Sequence, residues 1–397
     1  LPNIVPFKAV RPSRDKASLV TSRPYEDYGA AELAAQLDFN PYSFLHILHP
    51  GFVNVQKEEP QKRFGNVRDK YHEFKHSGIL LSEEYPMYYL YETKSGDRTF
   101  TGIIGGISLE DYRDGNIKRH EDTLEYRVAH FSDYLEMTGF NTEPVLISYP
   151  EKKELADYIA QKKNKRPLYH FSSPNKDLHT LWRIKEPSDI ELVRKAFSEI
   201  PSLYIADGHH RIASANELWE RHPENTTAGF VMGFMIAEPE LHIYEYNRLI
   251  RNLEHLDKAE LLHKLEASFV IENHGRELWK PTRKGQFGMY MGGEFFALSA
   301  KKNTAATDAD LLNDVVFSAI FQITDLRNSS RIEYLPGNVP ITKIIEKVDS
   351  GEFAVGFSLF PIAFETIRAV ADRNEILPPK STYIEPKFRN GLVIYEL

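Results

Sequence analysis

Residues 203–218 read L-Y-I-A-D-G-H-H-R-I-A-S-A-N-E-L, and they carry the densest set of reactive side chains in the chain. Leu203 to Ala206 have buried-strand character, and Asp207-Gly208 turns the chain into a helix beginning near His209. Such a corner exposes unpaired backbone N–H groups and the positive end of a helix dipole. It is an anion site in waiting, and Gly208 lets a phosphate approach the backbone closely. Arg211 falls in the first turn, where its fork of donors suits phosphate oxygens. His209 and His210 supply donors when protonated and acid–base capacity when neutral. Asp207 beside a phosphate makes sense as a Mg²⁺ ligand, or as an N-cap of the helix. The plainer alternative keeps only the cap and leaves both histidines exposed. Against it, cations in a first turn oppose the helix dipole, so an anion site is the favoured reading.

Two further polar clusters invite the same chemistry. Ile117-Lys118-Arg119-His120-Glu121-Asp122-Thr123 lies between two expected helices. There Glu121 suits a general base and His120 a phosphate or metal contact, while the alternative is a charged turn with Asp122 as N-cap. Near the C-terminus, Pro378-Pro379 stiffens the backbone before Lys380, Ser381 and Thr382, which would present an ammonium and two hydroxyls to an anion. Alternatively this is a rigid tail docking on its domain. His72-Glu73-Phe74-Lys75-His76 matches the H-E-x-x-H zinc signature, but Gly78 stops its helix and Val67, Tyr71 and Phe74 set the buried face. It is read as a helix flank.

The elements that must position these residues follow an α/β order. Strands are expected at 144–149, 168–171, 178–184, 203–206 and 229–237, with helices at 152–163, 188–198 and 209–221 between them. Upstream, a helix over 68–76 precedes a hairpin from Met87 to Ile107 that turns at 94–97. Ser108 to Asp111 fits a capping box, and a helix over 123–138 buries Leu124, Val128, Phe131 and Leu135. Segment 1–55 reads as irregular apart from a helix at 29–37. Past residue 253 a mixed pattern follows, with helices at 258–268, 308–321, 342–349 and 364–371, a hairpin at 286–299 and a strand at 353–360. The expected class is α/β, in the mixed α+β sense. Domains are expected at 1–250 and 251–397, the tail packing back on the first.

Bulk composition narrows the function. The 397 residues contain no cysteine, which removes thiol nucleophiles, disulfides and thiolate metal sites. A formal net charge of −8 argues against nucleic acid, and the basic run 162–166 reads as a solvated face. No apolar run is long enough for a membrane span and no signal-peptide pattern opens the chain, so a cytoplasmic location is expected.

Several segments, taken in order, resemble a large bacterial domain-of-unknown-function family, number 1015. They are N-P-Y-S-F-L-H at 40–46, T-G-I-I-G at 101–105, S-L-E-D-Y at 108–112, I-K-R-H-E-D-T at 117–123, I-A-D-G-H-H-R at 205–211 and P-P-K-S-T-Y-I-E-P-K at 378–387. The D-G-H-H-R corner is similar in kind to phosphate-handling loops of the ParB/sulfiredoxin superfamily, which includes free serine kinases and CTP-binding partition proteins. This resemblance implies a ParB/sulfiredoxin-like strand–loop–helix core and a nucleotide or phosphometabolite ligand, with ATP or ADP and Mg²⁺ as cofactors. Two readings follow: a phosphoryl-transfer enzyme acting on serine or phosphoserine, or a nucleotide-binding regulator without turnover. Where that family often has His-Arg after the strand at 241–246, this chain has Asn247-Arg248. Sulfinic-acid repair through an enzyme thiol, the chemistry of the sulfiredoxin branch, is ruled out by the missing cysteine.

Overall fold

The computed structural model describes residues 1–302, 307–326 and 329–397. The chain divides into two compact units. The first comprises Leu1–Leu241 with Pro386–Leu397, and the second His242–Glu385.

In the first unit the main sheet runs, edge to edge, through Ile117–Lys118, Leu203–Asp207, Val145–Tyr149, Phe230–Ala237, Arg98–Ser108, Tyr88–Ser95, Leu178–Ile184 and Tyr169–Ser172. The pairing is antiparallel except where Leu203–Asp207 meets Ile117–Lys118 and where Phe230–Ala237 meets Val145–Tyr149. Those parallel contacts gather at the end of the sheet that carries Asp207. The sheet is buried because its strands are rich in β-branched and aromatic residues, such as Ile103, Ile107, Val145, Ile147, Ile205 and Val231. Helices Lys153–Lys163, Pro187–Ser198 and His209–Arg221 pack their apolar faces on that core through Leu155, Phe197 and Ile212. This is an α/β protein in the mixed, α+β sense.

A smaller sheet in the same unit draws on distant parts of the chain. Its order is Leu80–Ser82, Ala9–Pro12, Ile394–Glu396, Phe140–Asn141. The first 55 residues are thus not irregular: they contribute strands Ile4–Val5 and Ala9–Pro12 and a helix Leu45–Phe52. Two smaller expectations also change. Phe131 is 44% exposed, because helix Glu125–Thr138 buries Val128, Ser132 and Leu135 instead. Ser108 accepts the Asp111 N–H at 3.4 Å, but the Asp111 carboxylate serves Asn3 and Asn116, so only half of a capping box forms.

The second unit has an antiparallel sheet ordered Phe269–Gly275, Glu294–Ala300, Gln286–Met291, Val355–Ser358, Tyr246–Ile250, Ile332–Pro336. A two-stranded ribbon pairs His242–Tyr244 with Tyr383–Glu385. The expected long helix from 308 is shorter: Asp308–Leu312 is α-helical and Asn313–Ser318 widens into a π-turn. Among the described residues no helix is long and apolar enough to cross a membrane.

Candidate functional site

The Asp207 corner forms as its sequence implies. Strand Leu203–Asp207 shifts register between Ile205 and Asp207, an irregularity of the kind that re-aims a side chain at a sheet end. Gly208 then takes φ +96° and is itself the N-cap of helix His209–Arg221, so Asp207 does not cap it. A side chain at Gly208 would meet the Arg211 guanidinium, since a Cβ there would stand 3.0 Å from Arg211 Cζ. The glycine therefore makes room for arginine across the turn.

Asp207 is the charge centre. Its Oδ1 accepts from Lys387 Nζ at 3.1 Å and its Oδ2 from Arg211 Nη2 at 2.5 Å. Arg211 Nη1 also donates to the Pro144 carbonyl. Burial alone would push the Asp207 carboxyl up, but Lys387 and Arg211 outweigh it and hold the group well below the usual carboxylate range. This geometry corrects the metal assignment. Both carboxylate oxygens already face cations, and among the described residues no three His, Asp or Glu side chains are grouped to hold a metal. Mg²⁺ does not fit at Asp207 in this arrangement.

The two histidines are corrected as well. His209 and His120 are buried, 4% and 2% exposed, with rings in an edge-to-face pair at 4.6 Å. His209 Nε2 accepts the His120 backbone N–H at 3.4 Å, which leaves the ring proton for Nδ1, 3.7 Å from Glu121 Oε2. His210 Nε2 accepts the Leu124 N–H at 3.1 Å. Both imidazoles thus accept backbone N–H groups of loop 119–124 and fasten it to the corner. Burial pushes His209 well below its ordinary range, with His120 adding to the effect. Burial likewise lowers His120 to about 4, against the opposing pull of Asp207. Neither His120 ring nitrogen makes a well-formed hydrogen bond, although the nearby Ile205 carbonyl favours its protonated form. His120 is therefore no surface phosphate contact. Glu121, 44% exposed, is brought to the corner beside His209. Asp122 is not the cap of the next helix, whose N-cap is Leu124.

Sequence reasoning missed the groups that complete the corner from afar. Lys387 is the last residue of P-P-K-S-T-Y-I-E-P-K at 378–387. It arrives on the C-terminal segment, which is tied down by Arg389 to Thr21, by Asn390 to Ser22 and by the Asn390 side chain to Glu143. The same ties hold residues 21–28 nearby. Glu26 feels the charges of Arg211, Glu143 and Asp27, and Asp27 feels those of Arg23 and Lys387. The tips of Glu26 and Asp27 reach solvent, yet the protein crowded around them pushes both carboxyls up before the neighbouring charges act. No local signal near Asp207 identifies these residues.

Lys380, Ser381 and Thr382 belong to the second unit. Lys380 has φ +56°, its ammonium lies over the Tyr246 ring at 5.2 Å, and Ser381 Oγ donates to the Pro378 carbonyl at 2.7 Å. Asn247 and Arg248 lie within strand Tyr246–Ile250 and are buried.

Among solved structures, the chain is similar to a free serine kinase in complex with AMP, with 13% identity, 73% of this chain and 91% of that chain covered, and a TM-score of 0.36. It is also similar to C-terminally truncated SbnI from Staphylococcus aureus (12% identity, 72% and 85% covered, TM-score 0.39). A third is a conserved hypothetical protein from Pyrococcus furiosus (14% identity, 73% and 95% covered, TM-score 0.34). No curated protein matches the chain. The family described as "Protein of unknown function (DUF1015)" matches residues 4–321, a stretch that includes D-G-H-H-R and ends before P-P-K-S-T-Y-I-E-P-K. The chain belongs to that family.

Proposed function

We propose that the Asp207 corner binds the phosphates of a nucleotide, ATP or ADP, and transfers a phosphoryl group to a small hydroxylated metabolite, serine being the acceptor. The observation that carries this reading is the convergence of Arg211 and Lys387 on one carboxylate at a helix N-terminus. Phosphoryl transfer needs chiefly positioning and charge neutralisation. Arg211 and Lys387 supply two positive charges, and the N-terminus of helix His209–Arg221 adds the positive end of its dipole. Asp207 holds the two cations in place until a phosphate competes for them.

In the transfer, the acceptor hydroxyl oxygen bonds to the terminal phosphorus of the nucleotide. The bond from that phosphorus to the bridging oxygen breaks, and the shortened nucleotide leaves. The hydroxyl proton passes to a carboxylate, a role assigned to Glu121, whose neighbour His209 is neutral and turns Nδ1 toward it. Glu26 is the comparison, because crowding raises its carboxyl toward the range of a working base.

A second reading, a nucleotide-binding regulator of the ParB-like kind, draws support from one feature. Arg211 lies across Gly208 and is already satisfied by Asp207 and Pro144, as in a latch that a ligand opens. Phosphorus NMR of the full chain with serine and ATP or ADP, with and without Mg²⁺, separates the two. Phosphoserine formation that is lost in Arg211→Ala and in Glu121→Gln or Glu26→Gln supports the enzyme. Nucleotide binding without phosphoserine supports the regulator, and no binding of either nucleotide refutes both.

A further inference from the structure

The second unit contains a cavity of about 110 Å³. Glu245, Lys284, Asp308 and Ser381 form its polar wall, and 359–363 with Thr366 close the other side. Several features of that wall are costly unless the space has a use. Glu245 packs its carboxylate over Gly337, where a Cβ would stand 2.5 Å from Oε1, so only glycine leaves room for it. Among the described residues no cation lies within ion-pair distance of Glu245. Burial pushes its carboxyl up, against hydrogen bonds from its own backbone N–H and the Asn247 side chain and the charges of Lys280 and Arg248, so its polar partners close by are neutral donors. Asp308 is 7% exposed and both its oxygens accept the Gly285 N–H, at 2.9 and 3.0 Å.

Ser381 is set by its neighbour. Lys380 holds a left-handed backbone, φ +56°, a conformation that costs a non-glycine residue about 1 kcal/mol or more. Its carbonyl accepts from Arg248 Nη2 at 3.2 Å. Arg248 is 1% exposed, and its Nε has no hydrogen-bond partner. A strained residue held by a buried guanidinium makes a preorganised wall, the arrangement expected of a binding site.

We infer that this cavity binds a small primary amine, of at most about ten non-hydrogen atoms, whose ammonium is held by the Glu245 carboxylate. The size follows from the space, which would hold on the order of eight waters. The charge follows from the wall, which carries two acidic residues, Glu245 and Asp308, and one lysine, Lys284, with no cation in ion-pair distance of Glu245 among the described residues. A half-buried carboxylate served only by neutral donors gains from a cation delivered beside it. The apolar side, Leu359 to Ala363, accommodates a short carbon skeleton.

This inference does not rest on phosphoryl transfer. Isothermal titration of the full chain with ethanolamine and alanine, against ethylene glycol and lactate, tests it. The expected result is binding of at least one amine and of neither deaminated analogue. Binding should weaken at least about tenfold in Glu245→Gln and in Thr366→Phe, the second of which fills the cavity from a half-buried helix position. Arg211→Ala, in the first unit, should leave amine binding unchanged, so failure of the phosphate site and failure of this one are told apart. Alanine binding without ethanolamine supports the site and narrows its ligands to amino acids. No amine binding at millimolar concentration overturns the inference, as does full binding in Thr366→Phe. That substitution decides the matter if Glu245→Gln does not fold.

Discussion

Arg211 and Arg248 are balanced in opposite ways. Arg211 keeps 28% of its side chain exposed and shares Asp207 with Lys387. Arg248 is 1% exposed, has no ion pair among the described residues, and gives its outer nitrogens to the carbonyls of Tyr246 and Lys380. Burial lowers Arg248 to about 10, partly offset by Tyr334 and Glu245, so it stays charged at neutral pH. The lesson concerns what each charge can do. A cation held by a carboxylate at an open corner can exchange that partner for a phosphate, because the exchange replaces one anion with another. A cation sealed among carbonyls has nothing to exchange, and serves as a clamp.

The largest expected effect tests the clamp. Arg248→Ala removes a large buried side chain and leaves two carbonyls without their donor, which should cost about 3–5 kcal/mol in denaturant titration. Arg248→Met keeps the volume and removes the desolvated charge, so it should cost far less. Equal losses in the two variants would break the contrast with Arg211.

Next comes pH, acting on the first unit. Burial lowers His120 to about 4 and His179 to about 3, from an ordinary value of 6.5. The unfolded chain therefore binds more protons below pH 6.5. The stability these neutral imidazoles contribute is complete above that pH and is lost as pH falls toward 4. For His120 alone the loss is about 3 kcal/mol across that window, at about 1.4 kcal/mol per pH unit. Asp207 adds a loss only below its unfolded value of 3.8, since its folded value is depressed. A flat melting temperature between pH 7 and 4.5 would contradict buried, neutral imidazoles at His120 and His179.

A smaller effect separates stability from binding. Asp207→Asn should cost about 1–2 kcal/mol, because the pairs it breaks are partly solvated. It should also tighten ADP binding several-fold, since Arg211 and Lys387 then lose the carboxylate that competes most directly for them. Weaker ADP binding would show that Asp207 acts on the ligand rather than as a placeholder for it. The smallest change is Gly208→Ala, worth about 1 kcal/mol for the left-handed backbone, together with displacement of Arg211.

The corner was legible because its determinants are local. An apolar strand, a glycine able to turn and a helix with apolar positions at 212, 215 and 218 place His209–Arg221 to the residue. The partners of Asp207 were not legible in that way. Lys387 lies 180 residues away and reaches the site only because Ile394–Glu396 joins a sheet with Ala9–Pro12 and Phe140–Asn141. Glu26 and Asp27 arrive with the segment that Asn390 pairs at Ser22. The histidines misled because their types advertise reactivity, while burial and the N–H groups of His120 and Leu124 make them fasteners. The π-turn at Asn313–Ser318 has no signal in hydrophobic spacing, which continues through it.

Isothermal titration of ADP into the wild-type chain and into Arg211→Ala, Lys387→Ala and Arg248→Met tests the central claim most directly. The account predicts at least about tenfold weaker binding in the first two and affinity within about twofold of wild type in the third. Undiminished binding in Arg211→Ala and Lys387→Ala would contradict a phosphate site at Asp207.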